Sequence, residues 1–124
     1  MNPEALLHRQ INPGWVQGNR VTSQAFRPMP KDKHMLSAYD GDLIGAEGSW
    51  RHFTSELGFS SVGVCAVSVA ECAELQLPAR PDPDEFPEHA VIDFTGIGNS
   101  AAEKKSKTLR NRAEVRGWLY QPNT

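Results

Sequence analysis

Residues 5–40, ALLHRQINPGWVQGNRVTSQAFRPMPKDKHMLSAYD, decide the fold class. Residues 5–11 read as a first strand, ended by Asn12-Pro13-Gly14, where Pro fixes φ and Gly tolerates positive φ. Gln17-Gly18-Asn19 is a second turn signal. Residues 21–26 form a second strand candidate, closed by Pro28 and Pro30, which deny a sheet its backbone donors. Residues 35–39 are a third, turned away by Asp40-Gly41-Asp42. Three strands without a helix between them argue against a doubly wound α/β sheet and for an α+β domain. The expectation is a single compact domain over residues 1–124, with a mixed or antiparallel sheet of four to six strands and two or three helices, mainly on one face.

Outward from that stretch, Ala46, Trp50, Phe53 and Leu57 recur with the period of one buried helical face, and Gly58 is placed to end the helix. Residues 61–67 are apolar on both faces, which reads as a central buried strand. Ser68 and Glu71 have the spacing of a capping box opening a short helix over 69–75. Residues 77–81 are an extended connector into the stiff acidic loop 81–87, PDPDEFP, whose prolines exclude helix and sheet interior. Ordered loops of this kind often carry function. Residues 89–94 alternate as another strand. After Gly96-Ile97-Gly98, Asn99 or Ser100 can cap a last helix that ends at Arg116 before Gly117. Its apolar stripe is narrow, Ala102, Leu109 and Ala113, so it should lie on the surface with its cations solvated, while Trp118-Leu119-Tyr120 anchor the C-terminus on the core.

At 39% apolar and 23% charged residues, the chain has the composition of a folding domain rather than a disordered one. No stretch reaches the roughly 20 apolar residues of a membrane span, and the start has no signal-peptide pattern, so no membrane partner and a cytoplasmic location are the default expectations. Cys65 and Cys72 lack metal or redox spacing and read as two buried free thiols. Charge is segregated. Residues 1–39 carry five Lys/Arg against two acids, residues 100–116 carry six against two, and residues 40–93 hold eleven acids against Arg51 and Arg80. Such segments can pair with one another across the surface, or leave a basic face for a phosphate-bearing partner.

No P-loop, GxGxxG, HExxH, GxSxG or EF-hand pattern is present. Gly96-Ile97-Gly98 between strand and helix has the form of an anion-binding turn, although such turns also need glycine for steric reasons. His8, His34, His52 and His89 are scattered and predict no metal site; the sequence leaves the identity of any cofactor open. His8-Arg9-Gln10 and Thr22-Ser23-Gln24 put polar residues into strands, where they must face solvent, bond one another or serve a site. Arg9, Ser23 and Glu88 occur in the order Arg, Ser, Glu, which resembles the set with which some ADP-ribosyltransferases hold NAD; His89 follows directly.

Arg9, Ile11 and Pro13, then Ser23, Ala25 and Phe26, then Leu36 and Ser37, then Pro87, His89 and Ala90 resemble the pattern of a group of short bacterial hypothetical proteins: Arg-x-Ile-x-Pro, Ser-x-Ala-Phe, Leu-Ser, Pro-x-His-Ala. The likeness spans residues 7–94, leaves the basic C-terminal helix, 99–117, outside, and departs at Asn12, where a histidine is expected. It implies a bacterial origin and a shared fold without an activity; by association, such proteins belong to phage-defence or toxin–antitoxin systems.

Two functions follow as expectations. The first is a non-enzymatic binding or accessory module of a bacterial multi-protein system, with a protein partner held by Lys104, Lys107 and Arg110 or by the acidic loop. The alternative is a small enzyme on a phosphate-bearing substrate such as NAD or RNA, ADP-ribosyltransferase-like or nuclease-like. There Arg9, Ser23, Glu88 and His89 would be catalytic and would converge in one pocket. Nucleic acid or nucleotide would then meet the basic termini.

Overall fold

The computed structural model describes residues 1–122. It is an α+β domain built on one five-stranded antiparallel sheet. The strands are β1 (Leu6–Gln10), β4 (Met35–Asp40), β5 (Val64–Ser68), β6 (Ala79–Pro81) and β7 (His89–Asp93), in the spatial order β5-β1-β4-β7-β6. Between β1 and β4, β2 (Val16–Gln17) and β3 (Arg20–Val21) form a separate small hairpin. Its turn residues Gly18 and Asn19 both have positive φ, 57° and 63°, as a two-residue hairpin turn demands.

Residues 21–26 do not form the expected strand. After β3 the chain enters a 3-10 turn over Ser23–Phe26, which buries Ala25 and Phe26 completely. A strand would point these adjacent side chains to opposite faces, whereas the turn buries both.

One face of the sheet carries Leu7, Leu36, Val67, Ile92 and Phe94 into the main core, which also takes in Phe26, Cys65, Cys72 and Leu109. Two helices close that face: α2 (Val69–Glu74) and α3 (Asn99–Arg116). The capping box starts α2 as read, with Glu71 N–H donating to Ser68 Oγ at 3.0 Å and Ser68 N–H to Glu71 Oε1 at 2.7 Å. Helix α3 buries Ala102, Ser106, Leu109 and Ala113, and Gly117 ends it at φ 85°. Its N-cap is Gly98, with no side-chain cap, rather than Asn99 or Ser100. Both cysteines are free and buried, and burial pushes their thiols up to about 12, leaving them protonated and inert at neutral pH.

The opposite face is covered by α1 (Ala46–Arg51), which widens into a π-helical stretch over His52–Glu56. The expected apolar stripe is therefore broken. Ser49 is the fully buried residue of α1, and Leu57 is exposed, because the wider turn rotates the later side chains out of the 3.6-residue register.

β5 is an edge strand, not the central one. All five of its residues are buried because α3 packs on one side, α1 on the other, and the C-terminal segment on the open edge. Val64 N–H donates to Tyr120 O and Leu119 N–H to Val64 O, both at 2.9 Å. Arg116 Nη1 donates to Ala66 O at 3.0 Å and pairs with Glu71 at 2.8 Å. Burial opposes ionisation of Glu71, but its hydrogen bonds from Arg116 and Ser68 outweigh that and hold its pKa below the usual value. The expected anchoring of Trp118-Leu119-Tyr120 thus takes the form of an edge cover. Among the described residues, no helix is long and apolar enough to cross a membrane.

Candidate functional site

The sheet face under α1 is polar, and its polarity is organised. Register places His8 opposite Tyr39 and Tyr39 opposite His89, so three strands present one continuous row. At the β1 end the row is structural. Ser49 Oγ donates to Ala46 O (2.8 Å), accepts from Gln10 Nε2 (3.1 Å) and lies 3.3 Å from His8 Nδ1, which must then be the donor. Ser61 Oγ in turn donates to Gln10 Oε1 at 2.9 Å. Burial lowers the His8 pKa against the opposing pull of Asp40, keeping the ring neutral. This network fastens α1 to the sheet. Ser49→Ala, which strands the Gln10 amide and the His8 N–H, is expected to cost about 2 kcal/mol in a urea unfolding titration.

At the β7 end the row is open to a cleft. Phe86, from the acidic loop, sits among three rings, with centroids 5.0 Å from Tyr39, 4.6 Å from His52 and 5.0 Å from His89. Tyr39 Oη lies 2.8 Å from His52 Nδ1, and burial together with the charge of Glu88 raises the phenol's pKa, so it remains protonated. The loop is held on the sheet by Asp82 N–H to His89 O (2.9 Å) and His89 N–H to Phe86 O (3.1 Å).

His89 is 4% exposed. Its Nδ1 lies 2.9 Å from the Asp82 carbonyl oxygen and 3.2 Å from Asp82 Oδ2. A carbonyl can only accept, so Nδ1 carries the proton and, in the neutral ring, Nε2 presents a lone pair. Nε2 is buried without a hydrogen-bond partner among the described residues.

The cleft encloses about 180 Å³. His8, Gln10, Tyr39 and His89 form its floor; Phe53, Leu57 and Phe59 form one wall, Glu85 and Phe86 the other, and Trp15 closes an end. Leu57 and Phe59 are 40% and 58% exposed and make an apolar lip. Sequence reasoning singled out His89 and the loop that carries Asp82 and Phe86, but missed Tyr39, His52 and Phe53 as parts of the site. Their signal is the strand register, which no single segment displays.

The four residues expected at one catalytic pocket do not come together. Arg9 reaches the edge of the same cleft, but its guanidinium is engaged by backbone: Nε donates to Ala25 O and Nη1 to Ser37 O, each at 2.7 Å, with Trp15 stacked 5.5 Å away. β1 and β4 part after His8 and Tyr39, and Arg9 fills the gap. Burial lowers its pKa to about 10 against the pull of Asp32, leaving it charged at neutral pH. Ser23 lines a separate groove with Arg20, Lys107 and Arg110. Glu88 lies outside both, its carbonyl accepting from Asp40 N–H at 2.8 Å.

None of the α3 cations is buried, and Lys104, Lys107, Arg112 and Arg116 are exposed as expected, but most of the six also meet an acid or a carbonyl. Lys107 lies 3.4 Å from Glu103, and Arg110 lies 3.9 Å from Glu114, which Arg20 also grips through two nitrogens. Arg112 pairs with Glu74, Arg116 with Glu71, and Lys105 bonds Leu75 O. Lys104 is exposed. The segregated charges of the sequence thus meet across the surface. In the Gly96-Ile97-Gly98 turn, the steric demand falls on Gly96, at φ 80°; the turn borders a wide depression of about 540 Å³. Among the described residues no cluster of His, Cys, Asp and Glu has the arrangement of a metal site.

Comparison with family models, curated proteins and solved structures finds no match for this chain.

Proposed function

We propose that this protein is a non-enzymatic binding module that takes one aromatic side chain of a protein partner into the cleft beside His89. The reading rests on one observation, a ring-sized cleft walled by aromatic side chains and bordered by an exposed apolar lip. A cavity of about 150 Å³ is enough for benzene, so 180 Å³ suits one six-membered ring. It is smaller than the roughly 300–1,000 Å³ of ordinary ligand pockets. The exposed Leu57 and Phe59 would contact the partner surface around the inserted ring, as the near-neutral surroundings of an interface hot spot do. The acidic loop beside the opening, with Asp84 and Glu85 exposed, favours cations flanking that ring. The resemblance to short bacterial proteins suggests an accessory role in a bacterial multi-protein system.

The enzyme alternative needed Arg9, Ser23 and His89 in one pocket; Arg9 and His89 border the same cleft, but Ser23 lies in a separate groove and the Arg9 guanidinium is held by backbone carbonyls, which favours the binding reading. Lys104, Lys107 and Arg110 carry less of the contact than expected, since the acids beside Lys107 and Arg110 compete for them.

Titration with an acetylated, amidated Gly-Lys-Tyr-Lys-Gly peptide, followed by NMR, is expected to move the side-chain signals of Phe53, Phe59 and Phe86. The Gly-Lys-Ala-Lys-Gly peptide should bind at least about tenfold more weakly, the loss of one buried aromatic anchor. Phe59→Ser, at an exposed position, should weaken the first peptide without altering the unfolding midpoint. Equal binding of the Tyr and Ala peptides, or none of either, would refute the assignment.

A further inference from the structure

Two arginines of this protein are largely enclosed, and they differ in how they are matched. Arg9 is held by two backbone carbonyls. Arg110, with a side chain 18% exposed, has a buried Nε without a partner among the described residues, and Glu114 Oε2 stands 3.9 Å from its Nη1, beyond hydrogen-bond reach. A guanidinium is charged throughout the physiological range and can only donate, so an enclosed one without acceptors is costly. Arg110 borders a groove of about 370 Å³, together with Arg20, Lys107 and Ser23, whose hydroxyl is part-buried at the start of its 3-10 turn. No acid lines this groove. Glu114, which Arg20 grips, borders a smaller adjoining recess instead. Lys107 meets Glu103 only in a pair more than half exposed on both sides, of a kind that contributes little.

We infer that this groove binds a phosphate monoester, whose charge of about −2 and three terminal oxygens can meet several of these donors at once. A carboxylate carries a single charge and is served by one guanidinium fork, as Glu114 is by Arg20, which would leave the other cations uncompensated. A nucleic-acid backbone needs a track of cations, and those of α3 do not continue the groove: Arg112 pairs with Glu74, Arg116 with Glu71, and Lys105 bonds Leu75 O. No aromatic side chain lines the groove, so no base is stacked there. The groove shares no lining residue with the aromatic cleft, so this site is independent of the ring-binding role.

The test is an NMR titration of the full chain with glycerol phosphate and with the acetylated, amidated peptide Gly-Ala-phosphoserine-Ala-Gly. The same peptide carrying serine or glutamate, and a short uridine oligonucleotide, serve as comparisons. Both monoesters are expected to shift the Ser23 amide and Arg110 Nε–H signals and to bind at least about tenfold more tightly than the serine and glutamate peptides, the effect of one further charge-assisted hydrogen bond. Tighter binding of the phosphopeptide than of glycerol phosphate supports a phosphorylated protein as the source, and equal or weaker binding supports a small phosphorylated metabolite. Lys107→Ala, at an exposed position, should weaken both monoesters about fivefold, and Arg110→Gln should weaken them further. The Lys107 variant and the ligand comparison on the wild-type chain are decisive even where Arg110→Gln folds poorly. No binding of either monoester, glutamate or the oligonucleotide binding as tightly as phosphoserine, or full affinity in Lys107→Ala overturns the inference.

Discussion

Gly63→Ala is expected to destabilise the protein by about 4 kcal/mol, on the scale of the larger single-site losses. Gly63 sits at φ 154°, outside the region that a residue with a Cβ adopts readily. A Cβ there would stand 2.6 Å from Tyr120 O and 2.9 Å from the Trp118 ring. Neither obstacle is the free end of a flexible chain. Tyr120 O is the acceptor of Val64 N–H, and Trp118 packs against the core, so relief requires the C-terminal segment to lift off β5. Urea unfolding should show a lower midpoint with an unchanged slope, and Trp118 fluorescence should shift to the red in the folded state. An unchanged midpoint would mean that the segment does not cross Gly63 as described.

Arg9→Leu is expected to cost about 3 kcal/mol, lowering the thermal midpoint by on the order of 10 °C. The substitution keeps an aliphatic chain against Trp15 but leaves Ala25 O and Ser37 O without their charged donors. These two bonds tie the 3-10 turn after β3 to β4 across the gap where β1 and β4 part, so the loss should be structural. Differential scanning calorimetry of the variant measures it. Arg9→Lys should recover only part of the stability, because an ammonium lacks the fork that reaches both carbonyls. Full stability in Arg9→Leu would return this residue to the role of a ligand-binding cation.

Much of the frame was legible in the sequence for identifiable reasons. β1, β4 and β7 were found where apolar runs ended in Pro, Gly or Asp, and α2 was found from a capping box whose two hydrogen bonds are both made. The errors share one cause: burial was read as if only sheet neighbours or helical faces could supply it. Phe26 is buried by a turn, Ala66 by a helix side chain and a strand, and Val64 by Tyr120, a residue 56 positions further along. The site was harder still. Tyr39, His52, Phe86 and His89 belong to four different segments, and only the pairing of Tyr39 with His89 and the fold of the acidic loop bring them to one ring cluster. His89 alone carried a local sign, its position directly after a proline-stiffened loop.

The two borders of the sheet determine how the molecule can meet others. On β5 most of the outward backbone groups are already engaged, Val64 by the Leu119 and Tyr120 backbone, Ala66 O by Arg116 and Ser68 N–H by Glu71. On the far side β6 is only three residues long and ends in Pro81, which has no N–H to offer. Both borders are poor templates for an added strand, the route by which many domains seize extended peptides and by which exposed sheets coalesce into fibres. Recognition by this protein therefore falls mainly to what its side chains present, and protection of the β5 border against sheet-to-sheet association depends on Leu119 and Tyr120 staying in place.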